Sequence, residues 1–343
     1  MQRQKKRQKK RLMAPNDKAQ KILVIRFSSI GDIVLTSPVV RCLKEQLPNA
    51  SVHYLTKKAN NQILEHNPYI DKIHILNDSL IATIEELRKE NFDYVVDLHK
   101  NLRSGMVKLL LCKPSRSFPK LNLRKWFYVK TKNKNLMPNV HIVDRYFEAT
   151  KRLNIVNDNR GLDFFISEGN SSNTVISNNY VVIVCGAKHA TKQIPPPKIE
   201  YLIKNIKGCI VLLGDKSDAK RLDKWEFDKY SNVLNLCGKC SLSQSALYVK
   251  EASLVITPDT GLMHISAAYK KNIIVVWGNT TPELGMYPYI PKGESSFINM
   301  EVKDLRCRPC SKLGYEECPK RNFACMESID WDAIVDETNK GNF

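Results

Sequence analysis

The sequence lacks any run of 18 or more apolar residues, which leaves no candidate for a membrane-spanning helix. Its N-terminus, MQRQKKRQKKRLM, is basic but lacks the apolar segment and small-residue cleavage site of a secretory signal, so the expected compartment is the cytoplasm. Acids are missing from two stretches. Residues 1–11 hold seven Lys or Arg and no acid, and between Asp97 and Asp144 eleven Lys or Arg occur without one Asp or Glu. Such blocks seek polyanions: nucleic acid, an anionic lipid surface or a phosphorylated substrate. Glycine is scarce where a dinucleotide-binding turn needs it. The stretch KILVIRFSSIGDIVLTSP, residues 21–38, reads strand, turn, helix, yet contains Gly31 alone, followed directly by Asp32. A carboxylate at a phosphate-binding turn repels phosphate, so Asp32 needs another role.

What is present points to a two-domain α/β protein. The chain of 343 residues suffices for two domains, and a hydrophobic share of 43% supports real cores. Short β-rich runs at 22–27, 51–55, 72–76 and 94–98 alternate with helical patterns at 33–46, 60–65, 79–90 and 102–111, and a helix near 141–153 ends this half. The rhythm restarts with strands at 180–184, 209–213, 233–236, 254–257 and 273–277 and helices near 198–206, 218–229, 243–250 and 262–269. Strand–helix alternation at this spacing means βαβ units and parallel sheets. The Ser/Asn-rich stretch 167–179 reads as a linker between domains 21–166 and 180–343, with residues 1–20 as a disordered basic arm. Ligands of open α/β sheets bind beyond the carboxyl ends of the strands, so the loops there carry the chemistry.

The most informative loop is LVITPDTGLMHISAA, residues 254–268. A buried strand ends in the turn Pro258–Asp259–Thr260–Gly261, and a helix of small residues follows. The amides of Thr260, Gly261 and Leu262 would be free at that helix N-terminus, a site favourable for an anion. Capping by Asp259 or Thr260 is the alternative. His264 lies one turn further on and reads equally as a structural histidine or a ligand contact. After strand 180–184 comes CGAKHATKQIPPPK, where Lys188, His189, Thr191 and Lys192 crowd one loop and a Lys could neutralise a diphosphate. After strand 209–213, Asp215 or Asp218 could accept hydrogen bonds from ribose hydroxyls.

Three ordered pieces carry a family resemblance over roughly residues 21–330: RFSSIGDIVLTSP, HATKQIP, and TPDTGLMHISAA followed by WGNTTPELGMYPY. Together they resemble the family 9 glycosyltransferases, the ADP-heptose:lipopolysaccharide heptosyltransferases. The resemblance implies a GT-B architecture, two Rossmann-like domains facing a central cleft. It implies an ADP-sugar donor on the C-terminal domain, contacted by Thr191, Lys192, Asp218, Asp259, Thr260, Gly261, Leu262 and His264. A lipid A–core acceptor would lie on the N-terminal domain, near Ser29 and Gly31. The chemistry would be inverting and need no catalytic metal, with peripheral placement on the cytoplasmic face of the inner membrane. Asp32 falls at the position of the family's general base, taking a proton from the attacking hydroxyl; a helix cap is the alternative. Lys192 and the turn amides would meet the leaving-group charge. Ile194 departs from the Trp that many members carry at its position.

The basic, aromatic-interleaved span 113–134 lies in the acceptor half, and Arg124, Lys125 and Trp126 suit the phosphates and apolar edge of a lipid-linked acceptor. Nucleic acid would satisfy the charge as well, but the remaining motifs are those of a sugar transferase, so no specific nucleic acid is expected. Ten cysteines without a secretion signal argue against a disulfide framework. Cys42, Cys112, Cys185 and Cys209 read as buried small hydrophobes. Cys307, Cys310, Cys318 and Cys325, with gaps of two, seven and six residues, could hold structural zinc; a buried thiol cluster or disulfides are the alternatives. Two rival functions stay open, a GT-B transferase using another nucleotide sugar and a nonenzymatic polyanion-binding protein on a Rossmann-like scaffold.

Overall fold

A computed structural model describes residues 20–167 and 179–341; the expected basic arm and linker lie almost wholly outside the described residues. Strands β1 (Lys21–Ile25), β2 (Ser51–Thr56), β3 (Lys72–Ile75), β4 (Tyr94–Asp97) and β5 (Ser115–Ser117) form one parallel sheet in the order β3-β2-β1-β4-β5. Strands β6 (Tyr180–Val184), β7 (Cys209–Leu213), β8 (Val233–Asn235), β9 (Leu254–Pro258), β10 (Asn272–Trp277) and β11 (Phe297–Glu301) form a second, also parallel, in the order β11-β10-β9-β6-β7-β8. Helices cover both faces of a parallel sheet, so its central strands are apolar throughout. Ile22–Ile25 and Tyr180–Val184 are buried at every position. Both sheets are doubly wound, as the alternation implied.

In each sheet the strand order reverses at one point, between β1 and β4 and between β6 and β9. The crevice beyond the carboxyl ends of such a pair is where these folds bind ligands. Here the exits hold Arg26–Asp32 after β1, His99 after β4, Cys185–Lys192 after β6 and Asp259–Leu262 after β9. Arg41, in the helix Ser37–Gln46, is 2% exposed and bonds Asp158 at 2.8 Å, Gly161 O at 2.9 Å and Asp163, tying the segment after the first sheet back onto it.

Several elements differ from expectation, each for a local reason. The helix expected over 33–46 is two, Ile30–Val34 and Ser37–Gln46, with Pro38 in the first turn of the second. Proline cannot donate to a preceding turn, so the chain restarts there. The basic span folds into a helix, Asn122–Thr131. Edge strands β5 and β11 are half-buried and partly polar, with none of the apolar runs that mark central strands. A last helix, Trp331–Lys340, packs on the helix Pro196–Asn205. Cys42 and Cys185 are buried, but Cys112 and Cys209 are exposed, because the first ends a surface helix and the second opens β7 at its rim. No described helix is long and apolar enough to cross a membrane.

Candidate active site

On the N-terminal side the site is built around Arg26, the residue that leaves β1. Its guanidinium is 6% exposed and donates to Ser28 O at 2.8 Å and to Leu98 O, after β4, at 2.6 Å. The same group pairs with Asp32 Oδ1 at 2.6 Å. Asp32 stands in the first turn of the helix Ile30–Val34, and its Oδ2 accepts from the Ser29 amide at 3.1 Å and the Ser29 hydroxyl at 2.7 Å. Burial alone would push this carboxyl up, but the Arg26 charge and the two Ser29 bonds outweigh it and hold it below its ordinary value. Asp32 is therefore a helix cap whose carboxylate is held ionised. Sequence reasoning missed Arg26, although the spacing RFSSIGD places it six residues before the acid.

On the C-terminal side Lys192 Nζ pairs with Asp259 Oδ2 at 2.6 Å, and Thr280 Oγ1 donates to the same oxygen at 2.8 Å. Burial opposes the charge on Asp259, while Lys192 and Thr280 keep it below the ordinary carboxylate value. Thr260 caps the helix Gly261–Ala268 with extended backbone and no side-chain bond, which leaves the Gly261 and Leu262 amides at the helix N-terminus for an external acceptor. Two residues expected at the donor have partners within the protein. Thr191 is 2% exposed, and its hydroxyl binds Asn279 Oδ1 at 3.0 Å and accepts from the Tyr315 amide at 2.8 Å, so it fixes the loop from within. Asp218 caps its own helix by accepting from the Asp215 amide at 2.9 Å, tucked beneath Gly186, where a Cβ would lie 1.8 Å from its Oδ2. Ile194 is fully buried in the core of this domain, so the departure from Trp falls on a packing position.

The two halves touch at their motif helices. A Cβ on Gly31 would meet His264 Cδ2 at 2.6 Å and Gly261 Cα at 3.4 Å, and a Cβ on Gly261 would meet Ile30 Cγ2 at 2.9 Å. Both glycines exist to let these helices meet. His264 is buried beside this contact with Nδ1 unpartnered; burial pushes it down to about 4 against the pull of Asp259 and Asp32, so it is neutral at pH 7.

Around Asp32 lies a rim of cations, mostly unforeseen. Arg145 is 4% exposed with Nε and Nη2 unpartnered. Lys125, half-buried, is pushed down to about 8 by burial, helped by Arg145 and opposed by Asp32. Lys120 is likewise lowered by burial and by Arg26. Arg124, expected beside Lys125, is exposed. A buried guanidinium without a counter-ion is costly, and a bound anion would supply one.

The four late cysteines line one cavity of about 230 Å³ with Lys132, Thr191, Asn279 and Phe323. All four are free thiols. Burial pushes Cys325 up to about 12, whereas at Cys318 the amides of residues 320–323 overcome burial and lower it. Among the described residues the three potential ligands that converge within 4.8 Å are His53, His74 and Glu90 instead. Those are already satisfied: His53 Nδ1 bonds His74 Nε2 at 2.9 Å, and Glu90 pairs with Lys21 and Lys72.

The family model described as Glycosyltransferase family 9 (heptosyltransferase) matches residues 80–315. Lipopolysaccharide heptosyltransferase 1 of Campylobacter coli is 25% identical over 293 residues, an alignment covering 76% of this chain and 84% of that protein. The crystal structure of a family 9 glycosyltransferase from Veillonella parvula superposes with a TM-score of 0.71 at 17% identity, covering 94% of this chain and 97% of the other. ADP-heptose lps heptosyltransferase II of E. coli gives a TM-score of 0.70 at 18% identity, covering 94% and 98%. These likenesses place the two facing sheets in the GT-B fold, and the match over 80–315 assigns the sequence: this chain belongs to glycosyltransferase family 9, the heptosyltransferases.

Proposed function

We propose that this chain transfers heptose from ADP-heptose to an inner-core lipopolysaccharide acceptor with inversion at the anomeric carbon. The observation that carries the reading is the meeting, at Gly31 and Gly261, of a helix bearing an ionised carboxylate and a helix presenting free amides beside a lysine. An acceptor hydroxyl near Asp32 attacks the anomeric carbon as its proton passes to the carboxylate, and the bond from that carbon to the diphosphate oxygen breaks. The departing ADP charge is met by Lys192 and the amides of Thr260, Gly261 and Leu262. Asp259 orients Lys192, and Thr191 fixes the loop that carries it. Lys125, Lys120 and Arg145 take anionic groups of the acceptor.

The four cysteines line one cavity without converging within 4.8 Å, and would form a soft donor set for zinc or iron once a metal drew them together; the amides around Cys318 favour its thiolate. A metal there would order residues 307–325 beside Thr191 and take no part in the transfer. Metal analysis of the purified protein, compared with Cys310→Ser, tests this. The working place is the cytoplasmic face of an anionic membrane, where the acceptor resides. The deciding experiment is a screen of nucleotide sugars with a lipid-linked core acceptor, read as nucleoside diphosphate release. ADP release from ADP-heptose supports the proposal. Release from a uridine or guanosine sugar overturns the donor, and tight RNA binding without turnover overturns the enzyme.

A further inference from the structure

We infer that the outer face of the helix Asn122–Thr131 is a membrane-docking surface that seats on anionic lipid headgroups. The helix has two dissimilar faces. Inward, Tyr128 is buried and its hydroxyl contacts Thr281 of the other domain at 2.9 Å, while Lys125 feels the charge of Asp32. Outward, Leu123, Trp126 and Phe127 are 75%, 52% and 48% exposed, at the i, i+3, i+4 spacing of one helix face. One turn further on lies Lys130, whose ammonium sits 5.1 Å over the Trp126 ring. Among the described residues nothing covers these three large apolar side chains.

The occupant follows from charge and depth. The surrounding span, residues 98–143, holds eleven Lys or Arg and no acid, the complement of an anionic lipid surface. An apolar face carrying Trp and Phe, with a lysine laid along the ring, is what an interfacial helix presents at the headgroup boundary. One helix is about 10–12 Å thick. A bilayer on its outer face would bring a lipid-anchored sugar to the Lys125 side of the same helix, next to Asp32.

This rests on the acceptor reading above, and the test separates the two. Full-length protein is sedimented with vesicles of phosphatidylcholine and phosphatidylglycerol, without donor. The double variant Leu123→Ser/Phe127→Ser should bind them at least about tenfold more weakly, and Lys130→Gln about fivefold. Val156→Ser, at another exposed apolar position of the same domain, should bind like wild type. ADP release with a soluble, delipidated acceptor should be unchanged in all three, which also shows that they fold. Wild-type protein that ignores anionic vesicles, a double variant that binds them normally, or patch variants that lose only RNA binding would each overturn the docking surface. Absence of ADP release in wild type would overturn the acceptor reading alone.

Discussion

Asp32→Asn removes one charge at nearly constant shape, and the geometry sets what should follow. An ionised carboxylate has about four lone-pair directions. Arg26, the Ser29 amide and the Ser29 hydroxyl occupy three, which leaves one to receive a proton. The asparagine oxygen can keep some of those bonds but takes no proton. A positioned base contributes about 10²–10⁴ in rate. Because Asp32 is held below the ordinary carboxylate value it is a weak base, which favours the lower end, so turnover should fall about 10²-fold, or ~2.7 kcal/mol. Arg26 keeps its two carbonyls, so the stability loss should be about 1–3 kcal/mol rather than the larger cost of an orphaned buried charge. ADP affinity by calorimetry should be unchanged, since Asp32 lies across the cleft from Lys192. The depressed value also fixes the pH behaviour: the carboxylate contributes stability above its unfolded value near 4 and loses it as pH falls, while turnover stays flat between about pH 6 and 8. Near-normal ADP release by the variant, or a wild-type profile governed by a base titrating near 6–7, would refute the assignment.

Lys192→Ala should weaken ADP binding by about 1.5–3 kcal/mol, the worth of a charge-assisted hydrogen bond, and unchanged affinity by calorimetry would return Lys192 to a purely structural pairing with Asp259. Lys125 is pushed down to about 8 from an unfolded value of about 10.4, so the unfolded chain binds more protons across that window. Stability should therefore rise with pH there while the acceptor KM climbs as the charge is lost. Lys125→Arg should abolish the rise in KM, whereas a KM that stays flat to about pH 9.5 in wild type would show that the acceptor does not use this charge. Gly31→Ala should cut turnover at least about tenfold by driving its methyl into the His264 ring, and a second change, His264→Ala, should restore part of it; additive losses in the double-mutant cycle would contradict the contact.

The fold was largely legible because central strands of parallel sheets are apolar at every position and helices between them are periodic. β5 (SRS) and β11 (FINME) escaped because neither carries such a run. The helix Asn122–Thr131 escaped because its apolar face points outward, so its pattern resembles a solvated loop. For the candidate site, the placement of Asp32, Lys192 and the turn at Gly261 at strand exits was readable from local spacing, since each lies in the loop or helix start that follows a strand. Arg145, Lys120 and the Gly31–His264 contact were not, because they arise from segments brought together only by the folded cleft. The internal partners of Thr191 and Asp218 were not legible, because Asn279 and Tyr315 reach Thr191 from distant segments and Asp218 is buried against its own helix N-terminus.

The closeness of Gly31 and Gly261 bears on how sequences of this kind can diverge. The two positions are far apart along the chain, yet neither can gain a side chain unless the partner surface retreats. Residues 30, 31, 261 and 264 thus form one unit of selection, in which a change at one is tolerated only with compensation at another. Across relatives this should leave a trace of correlated replacement between the two motifs, stronger than at neighbouring positions that face only their own domain. A chimera joining the first half of one such enzyme to the second half of another should fail most often at this junction, even where both halves fold.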